Sequence, residues 1–130
     1  MTSEIVFDAS ALLAMIREEP GGEAVATAIG RARMSTVNFA EVVSYLTYAG
    51  LPADQVDAML IKLPMRVIDA DLELAWTAGR LRGSMAEAGL SLGDRFCLAL
   101  AARDRLPVWT ADRQWRTIGE KLGVEVVLIR

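Results

Sequence analysis

The sequence predicts an α/β fold, a three-layer sandwich in which a short, mostly parallel central sheet is flanked by helices. Three observations predict it. Short apolar runs recur without polar alternation, as strands covered on both faces do. Stretches with helical apolar spacing separate them. No repeat, linker or low-complexity segment breaks that alternation, so the 130 residues fit one domain, 1–130, around one core.

The elements follow in order. Ile5–Phe7 is an apolar strand. Residues 9–19 place Leu12, Leu13 and Ile16 at helical spacing, and "EEPGG" ends that helix. A second helix covers about residues 23–31. "RMSTV" reads as a short strand entering a turn. "NFAEVVSYLTYAG" is a helix with Phe39, Val42, Val43 and Leu46 on one face and Gly50 as its stop. Another helix opens after Pro52 in "LPADQVDAMLIKL". "MRVIDA" is a strand. "DLELAWTAGRLRGSMAEAG" is one long helix ending at Gly89. "LSLGDRFCLALAARDRL" is a helix with its apolar stripe through Leu92, Phe96 and Leu100. "PVWTADRQW" runs from strand to turn to helix, and "VEVVLI" closes the sheet. Ligands in such folds gather beyond the carboxyl ends of the strands, where strand order reverses.

Composition limits the chemistry. The chain has no histidine and one cysteine, Cys97. That removes Ser-His-Asp and Cys-His catalysis, histidine acid–base chemistry and zinc sites built on imidazole or thiolate. An internal disulfide is impossible, and Cys97 in "RFCLALAA" reads as a small core residue. No apolar run of about 18 residues spans a membrane. "MTSEIVFD" lacks the basic segment and long apolar stretch of a signal peptide, so a cytoplasmic protein is expected. Hydrophobic residues make up 53 % of the chain and mean hydropathy is +0.30. This exceeds what a core of this size needs and points to a subunit or partner interface. Net charge is −3, but the 14 basic residues are 12 Arg and 2 Lys, and Arg grips phosphate in a forked geometry.

Four acids stand out. Asp8 in "IVFDASALLAMI" follows a strand and precedes a helix, where it serves as an N-cap, as a metal ligand, or both. Ser10 could orient it. Asp112 in "VWTADRQW" has the same setting, with Thr110 at the strand end. Asp94 follows Ser91 at capping-box spacing, and Gly93 before it is a poor helix former whose presence suggests a close approach to the backbone. Glu41 lies within a helix, where a solvated position near Tyr45 and Tyr48 is the plain reading. Taken together, two strands pointing the same way end on Asp, a third Asp starts a helix at the same edge, and a helical Glu can lean over them. Clustered carboxylates repel and stay ionised most readily around a divalent cation. Oxygen donors without His or Cys favour Mg²⁺ or Mn²⁺. Such a site suits phosphodiester hydrolysis.

These four segments, "IVFDASALLAMI", "TVNFAEVVSYL", "LSLGDRFCLALA" and "VWTADRQW", resemble the acidic motifs of PIN-domain ribonucleases. Chain size and motif order are similar to those of the VapC toxins of VapBC toxin–antitoxin modules. The resemblance implies a PIN-like sandwich and Mg²⁺- or Mn²⁺-dependent RNA cleavage. It makes Asp8, Glu41, Asp94 and Asp112 the catalytic, metal-binding acids. It places Ser10, Thr110 and Asn38 in support. It also implies a homodimer and a VapB-type antitoxin as partners. Arg95 and Arg113, each beside a proposed metal ligand, are the preferred RNA contacts among Arg80, Arg82, Arg95, Arg113 and Arg116. Leu12, Leu13, Ile16 and residues 58–65 are candidates for partner contact. The alternative is a PIN-like module that binds RNA or protein without cutting.

Overall fold

A computed structural model describes residues 3–130. The leader expectation rests partly on Met1 and Thr2, which lie outside the described residues. Five strands form one sheet: β1 (Ile5–Phe7), β2 (Ala32–Ser35), β3 (Arg66–Ile68), β4 (Val108–Thr110) and β5 (Val126–Leu128). They lie in the order β3-β2-β1-β4-β5, and every neighbouring pair is parallel. Each connection must therefore cross over the sheet, and helices supply the crossovers.

Seven α-helices are found among the described residues: α1 (Ala9–Ile16), α2 (Gly22–Ala28), α3 (Thr36–Tyr48), α4 (Ala53–Ile61), α5 (Leu72–Ser84), α6 (Leu92–Asp104) and α7 (Trp115–Leu122). Their starts are chemically marked. Asp8, Ser35 and Asp71 accept hydrogen bonds from free amides of α1, α3 and α5, and Ser91 with Asp94 makes a reciprocal capping box on α6.

The pleat of β1 divides the core. Ile5 and Phe7 join Leu12, Val25, Met34, Val42, Leu46, Val56 and Leu60 on one face. Val6 joins Leu74, Ala78, Leu98, Leu100, Val108 and Trp115 on the other. Adjacent residues of a strand point oppositely, so a three-residue apolar strand feeds both layers. Fully burying one such Leu or Phe stabilises the fold by roughly 1.5–3 kcal/mol.

Several expectations need correction. The first helix ends at Ile16, not near residue 19, because Glu18 (φ 54°) and Gly21 (φ 91°) turn the chain in left-handed conformations. The second begins at Gly22 and tightens into a 3₁₀ turn over Ile29–Arg31. The long helix expected through Gly89 stops at Ser84. A 3₁₀ turn, Ala86–Ala88, follows before Gly89 at φ 66°. The stripe of α6 is also different: Leu92 is 55 % exposed, whereas Gly93, Arg95, Cys97 and Leu98 through Ala101 are buried. Helix α6 is packed between α5, α3 and the sheet, so it is enclosed nearly all round. Leu12 is a core residue with no exposed surface, so it cannot meet a partner. Large apolar side chains that do reach the surface are Tyr48, Ile61, Leu72, Trp76 and Leu92.

Candidate active site

Strand order reverses between β1 and β4, and ligands of such sheets gather beyond the carboxyl ends of the strands at that point. Asp8 immediately follows β1, and Thr110 ends β4. Thr110 Oγ1 donates to Asp8 Oδ2 at 2.5 Å. Ser10 Oγ stands 2.7 Å from Asp8 Oδ1 and 2.9 Å from Oδ2 as a donor, and accepts from Ala111 N at 2.9 Å. Ala11 N donates to Asp8 Oδ1 at 2.8 Å. Asp8 thus caps α1, as its sequence position suggests, and is also clamped by two hydroxyls from opposite ends of the chain.

Glu41 comes from α3. Glu41 is an exposed residue, yet its carboxylate lies against Gly93 of α6: a Cβ at residue 93 would stand 2.5 Å from Glu41 Oε1 and closer still to Oε2. The close approach expected at this glycine is therefore made by Glu41. Asn38, one turn earlier on α3 and 1 % exposed, secures the arrangement. Its Nδ2 donates to Glu41 Oε1 at 2.8 Å and to Gly93 O at 3.0 Å. Asn38 Oδ1 is buried with no hydrogen-bond partner among the described residues. Asp94 accepts from Ser91 N at 3.0 Å through Oδ2, completing the capping box.

The charge of Asp94 acts on both Asp8 and Glu41. Burial pushes the Asp8 carboxyl up to about 6 and Asp94 adds to the rise, while bonds from Thr110, Ser10 and Ala11 oppose it. Partial burial raises Glu41 as well, Asn38 counters this, and Asp94 again adds. Burial drives the Cys97 thiol well up, and Asp8, Asp94 and Glu41 all reinforce that rise. All three acids are therefore near enough to act on the buried Cys97. None of them forms an ion pair with Arg or Lys among the described residues.

Asp112 is placed differently. Its amide donates to Thr110 Oγ1 at 3.0 Å, which ties its backbone to the Asp8 clamp. Its side chain is exposed, and Oδ1 accepts from Gln114 N at 3.0 Å. Asp112 follows the carboxyl end of β4 with its carboxylate turned along its own loop.

The family model described as PIN domain matches residues 5–121. The chain belongs to the PIN-domain family. No curated protein matches it. Solved structures agree on the fold. A chain of a toxin–antitoxin complex from Klebsiella pneumoniae is 22 % identical with TM-score 0.72, each chain covered over 98 %. A chain of DNA-bound VapBC from Salmonella typhimurium is 18 % identical with TM-score 0.75, covering 99 % of this chain and 100 % of that one. A chain of VapBC-5 from Mycobacterium tuberculosis is 22 % identical with TM-score 0.63, covering 98 % and 99 %.

This PIN domain offers oxygen donors to a hard divalent cation. Among the described residues, no three carboxylate, thiol or imidazole side chains close into a ready-made cage. Mg²⁺ does not require one, because it keeps several waters and takes one or two carboxylates alongside substrate phosphate. Unpaired, mutually repelling carboxylates at a strand-order switch fit Mg²⁺ or Mn²⁺.

The two preferred arginines part ways. Arg113 is exposed beside Asp112. Arg95 is 8 % exposed and turns away from Asp94 toward α5, where its Nη1 donates to Ala78 O at 3.0 Å. No helix among the described residues is long and apolar enough to cross a membrane.

Proposed function

We propose that this protein is a single-domain, metal-dependent endoribonuclease and the toxin of a type II toxin–antitoxin pair, of the VapC type. One observation carries the catalytic part: the Asp94 charge raises the proton affinity of both Asp8 and Glu41 at the switch point, with no basic side chain paired to any of the three among the described residues. Bound Mg²⁺ or Mn²⁺ would supply that balance, acidify a water and neutralise charge developing on the phosphate.

The chain's own residues do the positioning. Thr110 and Ser10 hold both oxygens of Asp8 in one orientation and keep its carboxylate hydrogen-bonded while buried. Asn38 fixes Glu41 over Gly93, and Ser91 fixes Asp94. Asp112 and Arg113 are exposed just past the carboxyl end of β4, where Arg113 is free to contact an RNA backbone. Preorganised charges of this kind need little rearrangement during reaction.

The partner part rests on similarity to chains whose complexes are described as VapBC or toxin–antitoxin. It includes a VapB-type antitoxin, a homodimer and a cytoplasmic location. Exposed Tyr48, Ile61, Leu72, Trp76 and Leu92 supply apolar surface for both contacts.

The test is RNA cleavage by purified protein with Mg²⁺ or Mn²⁺, with EDTA stopping it. Asp94→Asn keeps a cap for Ser91 and should abolish cleavage with the fold intact. Wild-type cleavage by Asp94→Asn sinks the mechanism. RNA binding without cleavage under either metal returns the non-catalytic reading.

A further inference from the structure

A cavity of about 250 Å³ lies between the end of α5, the following 3₁₀ turn and the start of α6. Arg82, Met85, Ala86, Gly89, Leu90 and Arg95 line it. Two of these are cations and none is an acid. Arg82 is exposed at the mouth, while Arg95 is 8 % exposed at the base.

Arg95 presents an imbalance. A buried guanidinium is costly unless a negative group or a full set of hydrogen bonds compensates it. Among the described residues Arg95 has no ion pair, and its one hydrogen bond goes to Ala78 O. Its Nε is buried without any partner. The neighbouring Asp94 carboxylate is committed elsewhere, to Ser91 N. A second guanidinium, Arg82, lines the same cavity, and no acid does. The missing component is an anion with several acceptor oxygens, which two forked donors can grip together.

We infer that this cavity is a phosphate subsite, and that it holds a backbone phosphate of the RNA away from the bond being cut. This inference rests on the nuclease reading for the identity of its ligand. The sequence neighbours Asp94 and Arg95 divide the work: one side chain serves the acid cluster and the other, turned away, holds the strand. Gly89 in the lining has nothing within 4 Å of where a Cβ would be, so the wall there is open to an entering ligand.

Two measurements test it. In the first, inorganic phosphate is added to the metal-free protein and thermal unfolding is followed. Phosphate should raise the wild-type midpoint, and the rise should vanish in Arg95→Gln and shrink in Arg82→Ala. In the second, binding of a short RNA is measured across salt concentrations with EDTA present. Losing charge-assisted contacts should weaken binding roughly tenfold. The slope of log affinity against log salt should also fall by about 0.7 for each phosphate contact removed. Arg82 is exposed, so Arg82→Ala keeps the test valid even if Arg95→Gln fails to fold. Equal phosphate protection in wild type and variants overturns the subsite. So does unchanged RNA affinity and salt slope in Arg82→Ala while the wild type cleaves RNA normally. Absence of any wild-type RNA cleavage or binding instead fails the nuclease reading and with it the RNA assignment, whereas the phosphate measurement judges the cavity separately.

Discussion

Gly93→Ala separates the geometry of the acid cluster from the stability of the fold. Gly93 is a helical residue outside the left-handed region, so alanine fits its backbone. In a helix interior that exchange gains up to about 1 kcal/mol. The obstacle is Glu41. A Cβ would stand 2.5 Å from Oε1, against the 3.4 Å at which ordinary contact begins, so the carboxylate must retreat by roughly 1 Å. The obstructing atoms are the far end of a flexible side chain, and they can swing into solvent. Doing so breaks the 2.8 Å bond from Asn38. A hydrogen bond to a charged group contributes about 1.5–3 kcal/mol when buried, and less at this half-open position. The two effects nearly cancel, so the midpoint of unfolding should shift by only a few degrees. Catalysis should not be spared, because a 1 Å misplacement costs about 10²-fold. Single-turnover RNA cleavage under saturating Mn²⁺, with melting curves on the same preparations, reads both quantities. A folded Gly93→Ala protein cutting at the wild-type rate would refute the role given to Glu41.

Further outcomes follow from the same site. Asp8 is buried, and its carboxyl is raised from the ordinary 3.8 to about 6. Between about pH 4 and 6 the folded protein therefore holds a proton that the unfolded chain has released. The Asp8 contribution to metal-free stability should be full below that window, fall through it by about 3 kcal/mol, and stay flat above. Asp8→Asn should remove the fall, as chemical denaturation at pH 4.5 and 7.5 will show; a parallel fall in both proteins rejects the burial argument. Mn²⁺ added at pH 7.5 should raise the unfolding midpoint of wild type more than that of Asp94→Asn, by mass action on the folded state. Equal shifts would move the metal elsewhere. Thr110→Val removes the hydroxyl between Asp8 Oδ2 and Asp112 N, and should cost about 1–3 kcal/mol of stability. It should also move the acidic limb of the cleavage profile to higher pH, since Asp8 loses a bond that favours its charged form. Expression without a partner should arrest growth, and harmless expression of an active enzyme would reject the toxin role.

Much of the architecture was legible because each strand is an unbroken apolar run and each crossover carries a helical pattern. Ile5–Phe7, the Pro52 start and the Ser91–Asp94 cap all stand where local chemistry put them. The boundaries that moved depend on less local causes. Glu18 adopts a left-handed conformation without being glycine, and α5 breaks at Met85 with no proline to mark the place. The exposed Leu92 and buried Arg95 reverse what a simple stripe predicts, because α6 is covered from several directions. At the site, Asp8 and Thr110 could be read as strand-end residues. The meeting of Glu41 with Gly93 across 52 positions could only be suspected from the glycine. The direction of the Asp112 side chain, and the pairing of Arg82 with Arg95, had no signal in the sequence.

The clamp on Asp8 joins residues 102 positions apart. Strand β4, which brings Thr110 to it, is synthesised about a hundred residues after β1. A nascent chain still short of Val108 possesses the first acid but neither the hydroxyl that orients it nor the neighbouring strand. The first acid is therefore oriented only once β4 has joined the sheet beside β1.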